Sequence, residues 1–318
     1  MSRQAKPLIG ISACLLGEKV RYDGGHKRDT FIVETLSKYC NFLPLCPETA
    51  IGMSTPRPPI RLIGAYQRPQ AVGVKDTSLN VTQQLEAYAY DQVSRLPNIC
   101  GYILKKDSPS CGMERVKVYP RPDSAAERKG SGIFARILME RSPLLPVEEE
   151  GRLNDPVLRE NFINRLYVLH RWQQLCAKTI TPAALIDFHA RHKYLVMAHS
   201  QAAYKRLGQQ LTDFSKQEIE MIADAYILEL MTTLKRRVDH KRHVNVLQHI
   251  MGYLKRSIDT HDKAELLDSI ESYRQGQIPL IVPITLLKHY FRRHPDPYIE
   301  QQVYLQPHPE ALGLRNTL

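Results

Sequence analysis

PLIGISACLLG, residues 7–17, runs from a short apolar stretch into a cysteine and then a glycine. The same design returns in NFLPLCPE (41–48) and in ICGYILKKDSPSCG (99–112). Apolar runs of this length bounded by turn residues read as buried strands. Strands are therefore expected over 7–13, 41–46 and 99–106, with a shorter one in AVGVKD (71–76). Pro44 interrupts the second and leaves its boundary open. Helical stretches at 30–39 and 80–96 separate them. This alternation predicts an α/β N-terminal domain with a mostly parallel sheet flanked by helices.

The second half has a different texture. Asp155 and Pro156 suit an N-cap and first turn. Beyond them Leu158, Phe162, Leu166, Leu169 and Trp172 recur at three- and four-residue spacing. Helical periodicity continues over 213–234, 239–257, 263–276 and 279–293. The reading is an all-α C-terminal domain, with domains at 1–150 and 151–318 joined by the Pro- and acid-rich stretch 142–156. Histidine follows the same division: only His26 precedes residue 150, and eleven follow it.

Composition sets the outer bounds. The 318 residues suffice for two ordinary domains, and 43% hydrophobic with 24% charged residues is normal for a soluble protein. No apolar run approaches a membrane span, and the start does not resemble a secretory signal, so a cytoplasmic location without membrane contact is expected. There the six cysteines are expected as thiols or metal ligands rather than disulfides. The net charge of +11 is shared by both halves, which suits a polyanionic partner but does not require one.

Cys14, Cys46 and Cys111 each follow a predicted strand. In an open parallel sheet the carboxyl ends of the strands share one edge, where ligands bind. Three thiols distant in sequence are thus expected to converge. Cys40, Cys100 and Cys176 lie before, within or away from those strand ends and read as small core residues. The residues alone leave three meanings open for the convergent set: unconnected thiols, a zinc site, or an iron–sulfur cluster with one iron lacking a protein ligand.

SACLLGEKVRYDGGHK (12–27), LCPE (45–48) and DSPSCG (107–112) together resemble the TudS-like thiouracil desulfidase family. FHARHKYLVMAHS (188–200), HVNVLQHIMGYLKR (243–256), PLIVPITLLKHYFRRH (279–294) and QVYLQPHPEALGLRN (302–316) resemble the helical domain fused to such desulfidases. The whole is similar to the RNA 4-thiouridine desulfidases. That resemblance implies a [4Fe–4S] cluster on Cys14, Cys46 and Cys111. It also implies non-redox conversion of 4-thiouridine in tRNA to uridine, with sulfur leaving as hydrosulfide. Glu48 is then the candidate base for the attacking water. Asp23 is a second carboxylate near the first motif, and Ser110 or Ser108 could hydrogen-bond the base or the cluster sulfurs. Each has a plainer role available: Glu48 could pair with Arg57, Asp23 could shape an Asp–Gly turn, and the serines could cap a turn.

The helical domain is implied to hold RNA. Its densest basic run, KRRVDHKRH (235–243), offers Arg236, Arg237, His240, Lys241, Arg242 and His243 for phosphate contact. On a continuous helix, Arg236, His240 and His243 would share a face. His189, His192 and His199 fall on one expected helix and read as buried, hydrogen-bonded histidines or RNA contacts. The glycines after Asp23 complete no nucleotide fingerprint, so no nucleotide cofactor is expected. Two rival readings remain: a desulfidase of free thiouracil or thionucleotides, and a non-catalytic RNA-binding protein stabilised by zinc.

Overall fold

A computed structural model describes residues 5–212, 214 and 218–316. The chain divides into two compact units, Met1–Asp155 and Pro156–Leu318.

In the first unit, β1 (Leu8–Ser12) leads into a tight turn, Ala13–Leu16. The stretch expected as a helix over 30–39 is helical but irregular, a wide π-helical turn, Phe31–Thr35, followed by a tight 3-10 turn, Leu36–Lys38. Ile32 and Leu36, four residues apart, anchor both in the core. Then come β2 (Asn41–Leu45), the short α1 (Pro47–Ala50), β3 (Ile60–Ile63), β4 (Gln70–Gly73) and α2 (Thr82–Ser94). The unit closes with β5 (Gly101–Leu104), β6 (Val116–Tyr119), β7 (Glu127–Gly130), α3 (Ile133–Arg141) and β8 (Val147–Glu149).

These strands form two sheets. The first has the order β2-β1-β5-β8 and is wholly parallel. Pro44 is accommodated because β2 lies at its edge, where a missing N–H leaves no inner ladder broken. The second sheet, β4-β3-β6-β7, is mixed. The expected strand at 71–76 therefore exists as β4, but it pairs antiparallel with β3 rather than joining the parallel sheet. β8 comes from the stretch read as an interdomain joint; its acids resemble a linker, yet Glu148 and Glu149 are buried. Ile9, Ile11, Tyr102, Ile103 and Phe134 form part of a core without solvent exposure, and the Tyr102 and Phe134 rings lie 5.7 Å apart.

The second unit is helical: α4 (Pro156–Cys176), α5 (Pro182–His199), α6 (Gln201–Gln210), α7 (Ile219–Leu234), α8 (His240–Met251), α9 (Thr260–Arg274), α10 (Ile281–Arg293) and the short α11 (Pro297–Glu300). Of the helix expected over 213–234, residues 213 and 215–217 lie outside the described ones. Leu247, Ile250, Leu266, Ile284, Leu287 and Tyr304 share one buried cluster. Trp172 packs edge-on to Phe188 at 5.3 Å and against Tyr226 at 6.0 Å. Among the described residues, no helix is long and apolar enough to cross a membrane.

Candidate active site

The carboxyl ends of β1, β2 and β5 deliver the three cysteines. Cys14 follows β1 in the tight turn, which Gly17 ends at φ 100°, a left-handed conformation that glycine adopts without cost. The Cys14 carbonyl also accepts from Lys27 N at 2.9 Å, folding the VRYDGGHK segment back over the site. Cys46 occupies the N-cap position of α1 directly after β2. Cys111 lies beyond β5 in a loop organised by Ser108, whose Oγ accepts from Ser110 N at 3.3 Å and Cys111 N at 3.0 Å. Gly132 presses on that loop: a Cβ there would stand 2.5 Å from the Ser110 backbone. Close backbone approach therefore requires glycine at this position.

All three cysteines line one cavity of about 320 Å³, together with Glu48, Ser108 and Ser110. Cys14 and Cys111 are buried, and Cys46 is half-buried. Burial pushes the Cys14 thiol up to about 11 against the pull of Lys105 and Arg21. Burial raises Cys111 still further, with the Ser12 hydroxyl opposing. The cause is common to both: a thiolate in a dry site lacks the water that would solvate it. Among the described residues, no group of three or more His, Cys, Asp or Glu side chains is set to hold a single metal ion.

Glu48 is gripped from two sides. Arg57 Nε and Nη2 both donate to Oε2, at 2.9 and 2.7 Å, while Ser110 Oγ donates to Oε1 at 2.5 Å. Both the Arg57 pairing and a place in the cavity are thus realised together. Arg57 is itself fixed by the carbonyls of Val20 at 3.0 Å and Ser54 at 3.2 Å. The Val20 carbonyl also lies 3.8 Å from Cys46 Sγ, so one backbone oxygen steadies a thiol and the guanidinium beside it. Ser108 Oγ stands 3.2 Å from Ser110 Oγ, extending this hydrogen-bonded chain.

Asp23, read as a second carboxylate near the first motif or as an Asp–Gly turn residue, lies in an exposed turn. Its carboxylate accepts from Gly25 N at 3.0 Å and pairs with Arg21 at 3.4 Å. Those contacts, the Gly25 bond foremost, lower its pKa. Asp23 is absent from the cavity lining, whereas Arg21 and Tyr22 are present. Sequence reasoning missed Ser12, whose Oγ accepts from Lys105 N at 3.0 Å, and Lys105, which pairs with Glu150 and lines the cavity. Their signal was available: Ser12 and Lys105 flank the strand ends that carry Cys14 and Cys111.

Cys40 and Cys100 are buried, as expected of core residues. Cys176 is exposed instead. It is the last residue of α4, and full burial on that helix stops at Trp172.

The basic run of the helical unit spans the expected break between two helices, so it offers no continuous helical face. α7 ends at Leu234 and α8 starts at His240, with Asp239 Oδ1 capping Arg242 N at 2.9 Å. Arg236 lies between the helices, so it shares no helical face with His240 and His243. Its carbonyl accepts from His199 Nδ1 at 2.6 Å, and its side chain is exposed. His243 is held by the Tyr304 hydroxyl at 2.9 Å; burial drives its pKa well below the ordinary value, and it is unsuited to meet a phosphate as a cation. His240 is half-buried against Tyr273, 4.7 Å between rings. Arg236, Arg237, Lys241 and Arg242 remain exposed. His192 and His199 are buried and hydrogen-bonded through Nδ1 to the carbonyls of Phe188 and Arg236.

An all-parallel sheet with thiols, a clamped carboxylate and serine hydroxyls gathered at its carboxyl edge defines an α/β protein with a cysteine-lined reaction cavity. Residues 9–150 match the family model described as 2-thiouracil desulfurase, and residues 193–309 match a model described as a protein of unknown function, DUF1722. The chain is 32% identical over 154 residues to YbgA of Escherichia coli K12, covering 48% of this chain and 91% of that protein. It is 30% identical over 162 residues to YbbK of Bacillus subtilis 168, covering 46% of this chain and 99% of the relative. Both relatives are described only as uncharacterized. Among solved structures, the [4Fe-4S]-dependent thiouracil desulfidase TudS is similar at 31% identity over 47% of this chain and 95% of its own, with a TM-score of 0.38. The chain belongs to the 2-thiouracil desulfurase family and carries a DUF1722 domain after the family domain.

Proposed function

We propose that this protein replaces the sulfur of a thiolated uracil by oxygen from water, and that its substrate is 4-thiouridine in tRNA. The carrying observation is the meeting of Cys14, Cys46 and Cys111 with the Ser110–Glu48–Arg57 chain at one cavity. An all-sulfur donor set whose ionisation is opposed by burial fits a soft, positively charged group bound by thiolates. Cys14, Cys46 and Cys111 are the residues that would hold a [4Fe–4S] cluster. When bound, it would supply a soft Lewis acid that prefers a thiocarbonyl sulfur to a carbonyl oxygen.

The protein's own residues supply the proton chemistry. Both Arg57 bonds fall on Oε2, which leaves Oε1 as the oxygen of Glu48 turned to Ser110. An attacking water gives its proton to Oε1 directly, or to Ser110 Oγ while Ser110 passes its own to Glu48. The reaction balances without an electron donor: thiocarbonyl and water become carbonyl and hydrogen sulfide.

RNA as the carrier of the base rests on the helical unit, with exposed Arg236, Arg237, Lys241 and Arg242, and on the net charge of +11. A base held in a duplex or a stacked loop must swing out to reach a cavity of this kind. The size of that cavity, about 320 Å³, favours a second reading in which free thiouracil is the substrate. The test is turnover by anaerobically purified, cluster-reconstituted protein, followed by loss of the near-ultraviolet thiocarbonyl absorbance. Thiolated tRNA should be consumed faster than free 2-thiouracil; intact tRNA beside rapid loss of the free base refutes the RNA assignment. A colourless protein holding zinc alone refutes the desulfidase reading.

A further inference from the structure

Five cations line the reaction cavity: Arg21, Lys27, Arg57, Lys105 and Lys106. Their circumstances differ. Arg57 is committed to Glu48 through both of its bonds to Oε2. Arg21 pairs with Asp23 at 3.4 Å, in the exposed turn. Lys27 and Lys106 are exposed, where water and salt screen a charge strongly. Lys105 is different again, its side chain only 12% exposed.

This ammonium is fixed at both ends of its residue. Lys105 follows β5 directly, and its backbone N–H donates to Ser12 Oγ at 3.0 Å, tying it to the end of β1 two residues before Cys14. At the tip, Nζ pairs with Glu150 and donates to the Lys106 carbonyl at 3.1 Å. Glu150 follows β8 and is held in turn, with Oε2 accepting from Lys106 N at 2.8 Å. Those two acceptors leave one of the three ammonium hydrogens over. Glu150 lies outside the cavity lining, so the carboxylate backs the ammonium and the cation fronts the shared space. Among charged neighbours, Lys105 is the first to oppose the burial that raises Cys14, which puts it within electrostatic reach of the thiols.

A cation shielded from water suits negative charge that appears during a reaction, because its field is weakly screened and needs no reorganisation. We propose that Lys105 is a catalytic residue that stabilises the anionic sulfur leaving the thiolated base and holds it as hydrosulfide before release. This role rests on the desulfidase reading above. The oxygen of water bonds to the thiocarbonyl carbon and one water proton passes to Glu48, while the C=S π electrons move onto sulfur. The carbonyl then forms as the C–S bond breaks. That bond's electron pair departs with sulfur, which takes the second water proton and leaves as HS−. Lys105 keeps its own proton throughout and supplies charge.

Titration of the anaerobically reconstituted full chain with sodium sulfide, read by visible absorbance, tests the proposal beside turnover of 2-thiouracil and thiolated tRNA. Lys105→Met should retain iron yet weaken hydrosulfide binding about tenfold, the worth of one hydrogen bond from a charged donor. It should also lower kcat by about 10²–10³-fold with KM little changed. Lys105→Arg, which keeps the charge, should recover most of both. Glu150→Gln removes the counter-charge and leaves the lining untouched, so it should move the affinity the other way, tightening hydrosulfide about threefold. An ion pair that serves only the fold predicts loosening in both variants. Unaltered hydrosulfide binding in Lys105→Met overturns the proposal, as does unchanged or looser binding in Glu150→Gln. If Lys105→Met loses its iron, the Glu150→Gln titration decides. Failure of the unaltered protein to consume any thiolated uracil refutes the desulfidase reading and this role with it. Normal turnover and hydrosulfide binding in Lys105→Met remove the role of Lys105 alone.

Discussion

The two units treat buried reactive groups in opposite ways. In the first, Cys14, Cys111, Ser110 and Glu48 all face one shared cavity. In the helical unit, His192 and His199 are buried singly, each tied through Nδ1 to a backbone carbonyl. A histidine tied to the backbone in a packed interior serves the fold, even where, as in His192, Nε2 is left without a partner; thiols at a common cavity remain available for chemistry. Burial alone therefore separates nothing. Whether the buried group faces shared space decides its role.

The largest effect that would break this contrast concerns the thiols. Cys14→Ala, Cys46→Ala and Cys111→Ala should each abolish iron incorporation and desulfurisation, while the exposed Cys176→Ala retains both. Iron content and visible absorbance after anaerobic reconstitution measure this, and iron retained in all four variants would undo the ligand assignment. Glu48→Gln should hold iron at the level of the unaltered protein yet lower turnover by about 10²–10⁴-fold, the usual worth of a general base. Equal turnover would remove Glu48 from the reaction.

Stability comes next. Arg57→Ala strands the Glu48 carboxylate in a largely buried place and should cost about 3–5 kcal/mol, read as a lower urea midpoint.

The histidines give a pH test. Burial holds His192 near 3 and His199 near 4, below the ordinary 6.5, so between those limits the unfolded chain binds more protons. Their contribution to stability is complete above the unfolded value and is lost as pH falls from about 6.5 towards 4, at about 1.4 kcal/mol per pH unit for each. Trp172, the single tryptophan, reports the helical unit by fluorescence. Its urea midpoint should fall between pH 7 and pH 5, and a flat profile would contradict the buried, neutral assignment. The smallest effect belongs to Asp23→Ala. An exposed turn residue outside the cavity should change stability by no more than about 0.5 kcal/mol and leave turnover near its original rate.

Much of the site was legible in linear order. Three cysteines after three apolar runs, read with parallel topology, place Cys14, Cys46 and Cys111 at one edge. The Glu48–Arg57 pair was also foreseeable as an alternative. The serine link from Ser110 to Glu48 was less so, since 62 residues separate the partners and their contact depends on the packing of Gly132 against the 108–112 loop. Arg236, His240 and His243 show the opposite failure. Periodicity stopped at 234 and resumed at 239, as the structure has it, but the common face of Arg236, His240 and His243 assumed a helix across that break, where Asp239 caps α8. Short-range hydrogen bonding to an N-cap overrode the charge pattern. β8 was missed because its acids resemble a linker, although Glu149 accepts from Met113 N at 2.8 Å and helps hold the chain beyond Cys111.

By itself the sequence determined the α/β-then-α order, the strand ends that carry the cysteines, and the motifs that define the family. Strand formation and turn chemistry are local, so neighbouring residues suffice to specify them. Tertiary structure alone decided that Arg57 occupies one oxygen of Glu48 and leaves the other to Ser110, and that Asp23 turns to solvent. Those outcomes depend on which polar groups meet once distant segments pack, and those meetings exist only in the folded chain.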